Sequence, residues 1–199
     1  MPRGFSERER ERVREGLLEQ GRTFLGTYGI RKTNVEDLTR AVGISKGAFY
    51  LFYASKEELF YEVLSRWEDE YHDGLLEAAV RPGVAPRRQV ADFLREAFSV
   101  WKTHPLFTRF DPEEYEHLLR KLPEEKVEAN LRKDEVFVGR LLDQWRDHGV
   151  EIDCDPDLFL GLMRALFFVA LHEEDVGRDA YPAVIEFFIS SIAQRVVQE

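Results

Sequence analysis

The chain has one cysteine in 199 residues, Cys154, so no disulfide can form within it and bridge-stapled folds are excluded. No apolar run approaches the roughly 18 residues that cross a bilayer, and no charged-then-apolar leader opens the chain, so a cytoplasmic protein with no membrane partner is expected. Catalytic signatures are missing too. There is no glycine-rich phosphate loop, nucleophile elbow or HExxH pattern, and the carboxylate-histidine pairs in EYEH and LHEE suit solvated helix ends. Neither an enzyme nor a cofactor is expected. Cys154 lies in DCDPD, where Asp155 as N-cap and Pro156 as first helical residue start a helix, and the His and Cys partners of a metal site are missing. No alternating strand run or internal repeat is found, which leaves an all-α chain.

What is present supports a folded protein: 44% of residues are hydrophobic and 13% aromatic, enough for a substantial core. The net charge of −10 is unevenly spread. Residues 1–67 hold 12 of the 28 Lys and Arg but only 10 of the 38 Asp and Glu, a balance of +2, so residues 68–199 carry −12. Phosphate would be repelled by the second part, so any nucleic acid should meet the first. Before Leu17 the run RERERVRE places arginines at 8, 10, 12 and 14, which could reach phosphate or form a solvated helix face with the alternating Glu.

Residues 33–59, TNVEDLTRAVGISKGAFYLFYASKEEL, spell two short helices and a tight turn. Asn34 is a candidate N-cap, and Val35, Leu38 and Val42 form one apolar face. Gly43 stops that helix by turning into positive φ, and Ser45 caps a second helix from Lys46. Phe49 and Phe52 share a face with Ile44, leaving Lys46, Gly47, Tyr50 and Leu51 on the other side. A cation, a glycine allowing close approach and a phenol on a free face suit a major groove. Ser55 and Glu58 make a capping box for the next helix, whose N-terminus with Lys56 suits phosphate. Spacing alone equally allows an ordinary helical hairpin with solvated Tyr and Lys.

The stretches LLEQGRTFLGTYGIRKTNVEDL and AVGISKGAFYLFYASKEEL resemble the N-terminal domain of the tetracycline-repressor (TetR) family of bacterial transcriptional regulators, covering Leu17 to Leu59. The resemblance implies that the helix bearing Lys46, Gly47, Ala48, Phe49 and Tyr50 is a recognition helix. Tyr50 and the next residue would contact DNA, and Lys56 and Thr33 its backbone. The implied DNA-facing set is Thr33, Asn34, Ser45, Lys46, Gly47, Tyr50, Leu51 and Lys56. Leu51 departs from the histidine or tyrosine usual there, which removes a hydrogen-bonding reader and suits a thymine methyl.

The expected organisation is a three-helix helix-turn-helix domain over 1–55, a connecting helix over 56–80, and a helical effector-binding and dimerisation domain over 81–199. A first helix opens on the Ser6–Glu9 capping box, carries Val13, Leu17, Phe24, Leu25 and Tyr28, and ends at Gly29. A long one runs from Lys56 to about Ala79, with apolar positions including Tyr71 at helical spacing, until residues 81–86 (RPGVAP) break it. Further helices are expected over 87–103, 105–110, 112–121 (opened by a capping box of Asp111 and Glu114), 124–148 (closed by Gly149), 156–173 and 182–198.

The last two helices carry more apolar surface than one core needs. The resemblance implies that they pair with their copies as a four-helix bundle. Leu158, Leu162, Leu166, Val169, Val184, Ile185, Phe188, Ile192 and Val196 would line the homodimer contact. A two-fold dimer presents recognition helices about 34–36 Å apart, or a multiple, to a palindromic operator in double-stranded DNA. The alternative is that both helices are central to a monomer core. Arg164 within the apolar 158–171 helix needs a carboxylate such as Glu173 or Asp157, or an anionic ligand. Aromatics gather between Phe93 and Trp145, and family members sense small molecules in this domain. The candidate effector-binding residues are Tyr71, Phe98, Trp101, His104, Phe107, Phe110, Phe137, Leu141, Trp145, Arg164, Phe168 and His172, although aromatics at this spacing also make plain core. The expected function is a repressor released from its operator by an apolar or aromatic ligand. The alternative keeps DNA binding without an effector, in a nucleoid organiser.

Overall fold

The computed structural model describes residues 5–103 and 112–198. Its helices are α1 (Glu7–Lys32), α2 (Val35–Val42), α3 (Lys46–Phe49), α4 (Lys56–Ala78), α5 (Pro86–Thr103), α6 (Pro112–Lys121), α7 (Glu124–Asp147), α8 (Pro156–Leu171), α9 (Glu173–Val176) and α10 (Tyr181–Val196). Among the described residues β pairing is confined to an isolated antiparallel bridge between Ile152 and Val197. The fold is all-α, and no described helix is long and apolar enough to cross a membrane. The helix expected over 105–110, with His104, Phe107, Phe110 and Asp111, lies outside the described residues.

Local chemistry sets most boundaries. Ser6 and Glu9 cap α1 reciprocally: the Glu9 amide donates to Ser6 Oγ at 3.3 Å, and the Ser6 amide to Glu9 Oε2 at 2.9 Å. Gly29, at φ 77° and ψ 178°, breaks the helical path as expected, but helical hydrogen bonding resumes beyond it to Lys32. Asp155 caps α8 by accepting from the Asp157 amide at 2.9 Å, with Pro156 in the first turn. The expected 156–173 helix is two pieces, α8 and α9, because His172 at φ −112° and ψ 40° leaves helical geometry between them.

Packing divides the chain into two compact units: Met1–Glu68 with Pro105–Val127, and Asp69–His104 with Glu128–Glu199. The sequence break at 81–86 therefore separates helices without separating units, and α6 groups with the N-terminal helices. In the first unit Leu17, Ile30, Leu38, Phe49, Leu59, Phe60 and Leu118 are fully buried, so α1, α2, α3, the start of α4 and α6 share one core. Tyr53 joins it: its hydroxyl donates to Glu62 Oε2 at 3.0 Å, and burial together with that carboxylate pushes its phenol pKa up. Glu62 also takes Arg14 at 2.9 Å, tying α4 to α1.

The second unit is built around Trp145, which is fully buried between edge-on contacts to Phe93 and Phe159. Its indole Nε1 donates to the Ala79 carbonyl at 2.9 Å just past the end of α4. Val90, Leu94, Leu141, Ile189 and Val196 complete the same cluster. Because the ring fills the centre and its N–H closes a buried acceptor, Trp145→Ala should cost about 3–5 kcal/mol by cavity formation. Trp145→Phe should cost less yet still leave the Ala79 carbonyl short of a partner. Urea unfolding of the two variants checks this order, and equal stability of Trp145→Ala and the parent would refute it.

Candidate functional site

The turn between α2 and α3 is made by Gly43 and Ser45. Gly43 sits at φ 74° and ψ 32°, a left-handed conformation that side chains with a Cβ resist, and a Cβ there would meet nothing within 4 Å. The demand on this position is thus wholly backbone. The Ile44 amide donates back to the Thr39 carbonyl at 3.0 Å, closing α2. Ser45 Oγ then accepts from the Ala48 amide at 3.1 Å and opens α3. Asn34 occupies the N-cap position of α2, but its side chain makes no cap bond; only its carbonyl accepts, from Asp37 and Leu38. The expected side-chain cap is therefore corrected.

Phe49 is the inward residue of α3, with no exposed surface, and its ring meets Tyr53 and the edge of Tyr50. Tyr50 at 50% exposure and Leu51 at 60% point outward, and Lys46 and Gly47 are also exposed. These four residues form the free face that the spacing predicts. Lys46 is not idle on it: Nζ lies 2.6 Å from Glu36 Oε1 on α2. That bond holds the Glu36 carboxyl below its usual pKa and the Lys46 ammonium above its own.

Two expected DNA-backbone residues are engaged elsewhere. Thr33 is buried, and its hydroxyl donates to the Gly29 carbonyl at 2.8 Å. Lys56 Nζ donates to the carbonyls of Ile30 at 2.8 Å, Arg31 at 3.3 Å and Thr33 at 2.8 Å. An ammonium has three donors, so a phosphate reaching Lys56 must take one from a carbonyl. Arg10 lies over the Phe52 ring at 5.4 Å, and Phe52 also packs on Phe5. With Arg14 on Glu62, two of the four arm arginines are already used within the fold.

Several effector candidates of the second unit are brought together as closed core. Leu141 and Trp145 have no exposure and Phe137 has 4%, while Tyr71 and Phe98 pack against them from the rim. The Tyr71 hydroxyl donates to the Ala97 carbonyl at 2.9 Å, and burial pushes its pKa up. His72, not foreseen, stacks on Phe137 with ring centres 4.1 Å apart, and burial lowers its pKa. Arg164 is half-exposed rather than buried, and its carboxylate is Asp134 at 2.9 Å, not Glu173 or Asp157. Neither Phe168, at 60% exposure, nor His172, bonded to Asp175, joins the aromatic cluster. The side chain of Trp101 lies outside the described residues.

The dimerisation candidates divide. Leu158 and Phe188 are exposed, Leu162, Val169 and Val184 are half-buried, and Leu166, Ile185, Ile192 and Val196 are core of their own unit. Phe187, outside the expected set, is 69% exposed on a face of α10 that also carries Glu186 and Ser190. The exposed apolar set of these helices is Leu158 and Phe168 on α8 with Phe187 and Phe188 on α10.

With this geometry in view, residues 17–63 match the family model described as bacterial regulatory proteins, tetR family. No curated protein matches the chain by sequence. Solved structures match nearly its whole length. A TetR-family transcriptional regulator from Pectobacterium atrosepticum aligns at 18% identity over 96% of this chain and 95% of its own, with a TM-score of 0.68. Reduced NemR from E. coli aligns at 18% identity, 92% and 97% coverage and TM-score 0.64. SmeT, the repressor of the Stenotrophomonas maltophilia multidrug efflux pump SmeDEF, aligns at 19% identity, 94% and 91% coverage and TM-score 0.58. Residues 17–63 thus belong to the tetR family of bacterial regulatory proteins, and the chain as a whole has the fold of its regulators.

The helix-turn-helix depends on its turn, which gives a direct check. Ser45→Ala should destabilise the protein by about 1 kcal/mol through the lost cap. Gly43→Ala should cost about 1–2 kcal/mol through left-handed strain. Chemical denaturation reads both; a Gly43→Ala variant as stable as the parent would contradict the assignment of that turn.

Proposed function

We propose that the protein is a sequence-specific transcriptional regulator, most simply a repressor, that binds a palindromic operator as a homodimer in the cytoplasm. The observation that carries this reading is the outward face of α3, where Tyr50 and Leu51 stand exposed on a segment of tetR-family sequence. Lys46 and Gly47 allow close approach beside them, and Asn34 and Ser45 flank the start of each hairpin helix. Thr33 and Lys56 support the phosphate-facing edge from within, by ordering the backbone between α1 and α2. Repression is supported by the likeness to SmeT, itself a repressor.

The dimer contact in this reading is the exposed set Leu158, Phe168, Phe187 and Phe188, since apolar side chains this open are more stable covered. A small apolar or aromatic ligand would lodge among Tyr71, Phe98 and Phe137, in reach of the half-exposed Arg164. Such uptake would bias α4, which carries both Lys56 and Tyr71, and so alter affinity for DNA. Full burial of Leu141 and Trp145 favours a second reading, a DNA organiser without an effector. Titration of candidate ligands into a protein–operator complex separates the two.

Selection of bound duplexes from a random pool should recover a palindrome, and Tyr50→Ala should abolish its binding while leaving the dimer intact. Recovery of no sequence, or full binding by Tyr50→Ala, would overturn the reading. If Leu51 meets a thymine methyl, replacing that thymine by uracil should weaken binding. Separately, Phe168→Glu with Phe187→Glu should yield a folded monomer by sedimentation; an unchanged dimer would place the contact elsewhere.

A further inference from the structure

The junction between α1 and α2 is held by charge on both sides. Gly29 takes the chain out of helical geometry, at φ 77°. The two amides that follow are received by one carboxylate from α6: Ile30 donates to Glu114 Oε2 at 2.9 Å and Arg31 to Oε1 at 3.3 Å. A Cβ at Gly29 would stand 2.7 Å from Glu114 Oε2, so the glycine makes room for the carboxylate as well as for the turn. Lys56 meets the carbonyls of the same stretch, and the Thr33 hydroxyl closes onto Gly29. Ile30 and Thr33 are each 1% exposed, whereas Arg31 and Lys32 between them are exposed, so water is withheld at the two ends of this stretch and not along all of it. Asn34, the first residue of the hairpin, follows directly.

We propose that Glu114 is a positioning residue for DNA reading, a latch by which α6 fixes the bend at Gly29 and thereby the start of the helix-turn-helix. The latch rests on the DNA-binding reading above. The segment Pro105–Val127 packs with the N-terminal unit, yet the chain on both sides of it belongs to the other unit. Glu114 is the group through which α6 acts on the Ile30 and Arg31 amides. Attachment of α6 does not itself need Glu114, because Leu118 is fully buried in the same unit. What the carboxylate adds is direction: it satisfies amides that only the bent form presents. Lys56 couples the first turn of α4 to the same backbone, so two helices hold one junction with opposite charges.

The test uses the full-length protein and the duplex recovered by selection. Glu114→Ala should weaken operator binding about tenfold or more, the scale of hydrogen bonds to a charged acceptor, while Glu114→Gln, which keeps one acceptor oxygen but turns an NH2 toward the other amide, should regain only part of it. Gly29→Ala should weaken binding similarly, and the double variant should be no worse than the weaker single, because both changes remove the same contact. Amide hydrogen exchange at Ile30 and Arg31 should quicken in Glu114→Ala. Parental operator affinity in Glu114→Ala overturns the latch, as does a loss confined to melting temperature or strictly additive losses in the double variant. If the parent protein selects no duplex, the DNA-binding reading fails by itself. The exchange rates then judge the contact alone, and unchanged rates at Ile30 and Arg31 overturn it.

Discussion

A helix of four residues cannot hold itself together in water, since isolated helices below about 12–15 residues are marginal even with good propensity. Everything α3 presents therefore depends on the burial of Phe49. That ring anchors the inner face, and the capped turn before it and Tyr53 after it, hydrogen-bonded to Glu62, fix both ends. Tyr50 and Leu51 stand exposed at the end of this scaffold, with the edge of Tyr50 resting on the anchoring Phe49 ring. The buried anchor and the exposed side chains are thus separated along one turn.

The readable features of the sequence are those whose partners lie within one helical turn. The Ser6–Glu9 box, the Ser45 cap, the Asp155–Pro156 start and the glycine at 43 are all local chemistry, and each was visible as spacing. Ion pairs and capping groups from distant segments were not. Glu114 reaches Ile30 across 84 positions, and Arg164 finds Asp134 across 30, where periodicity says nothing. Glu114 falls in a capping pattern with Asp111, which lies outside the described residues, and its carboxylate also receives the amides freed by the bend in α1. Lys56 illustrates the reverse confusion: a lysine at a helix start suits an external phosphate, and equally suits the carbonyls of a neighbouring helix end.

The aromatic residues of the second unit show a related limit. A helix that packs in a core and a helix that lines a ligand cavity bear the same periodicity, so Trp145 and Leu141 could not be assigned by spacing. Their complete burial makes them core in this state. A ligand seated among them must be matched by free energy for opening that core, which directs attention to the rim, where Tyr71 and Phe98 are only partly covered.

The apolar helices α8 and α10 pose the same problem with a physical resolution. A helix that is apolar all round needs cover on every side, and one core can cover only one side of it. Leu166, Ile185, Ile192 and Val196 are covered within their own unit, which leaves Phe168 at 60% and Phe187 at 69% exposure. The −12 carried by residues 68–199 makes a nucleic-acid partner for those two rings electrostatically unfavourable. A second copy of the same chain carries that charge as well, but apolar contact is short-ranged and the charge is screened beyond about 8–10 Å at physiological salt. In the proposed dimer, burial of the rings would have to outweigh the repulsion, and that balance predicts a dimer strengthened, not weakened, by added salt.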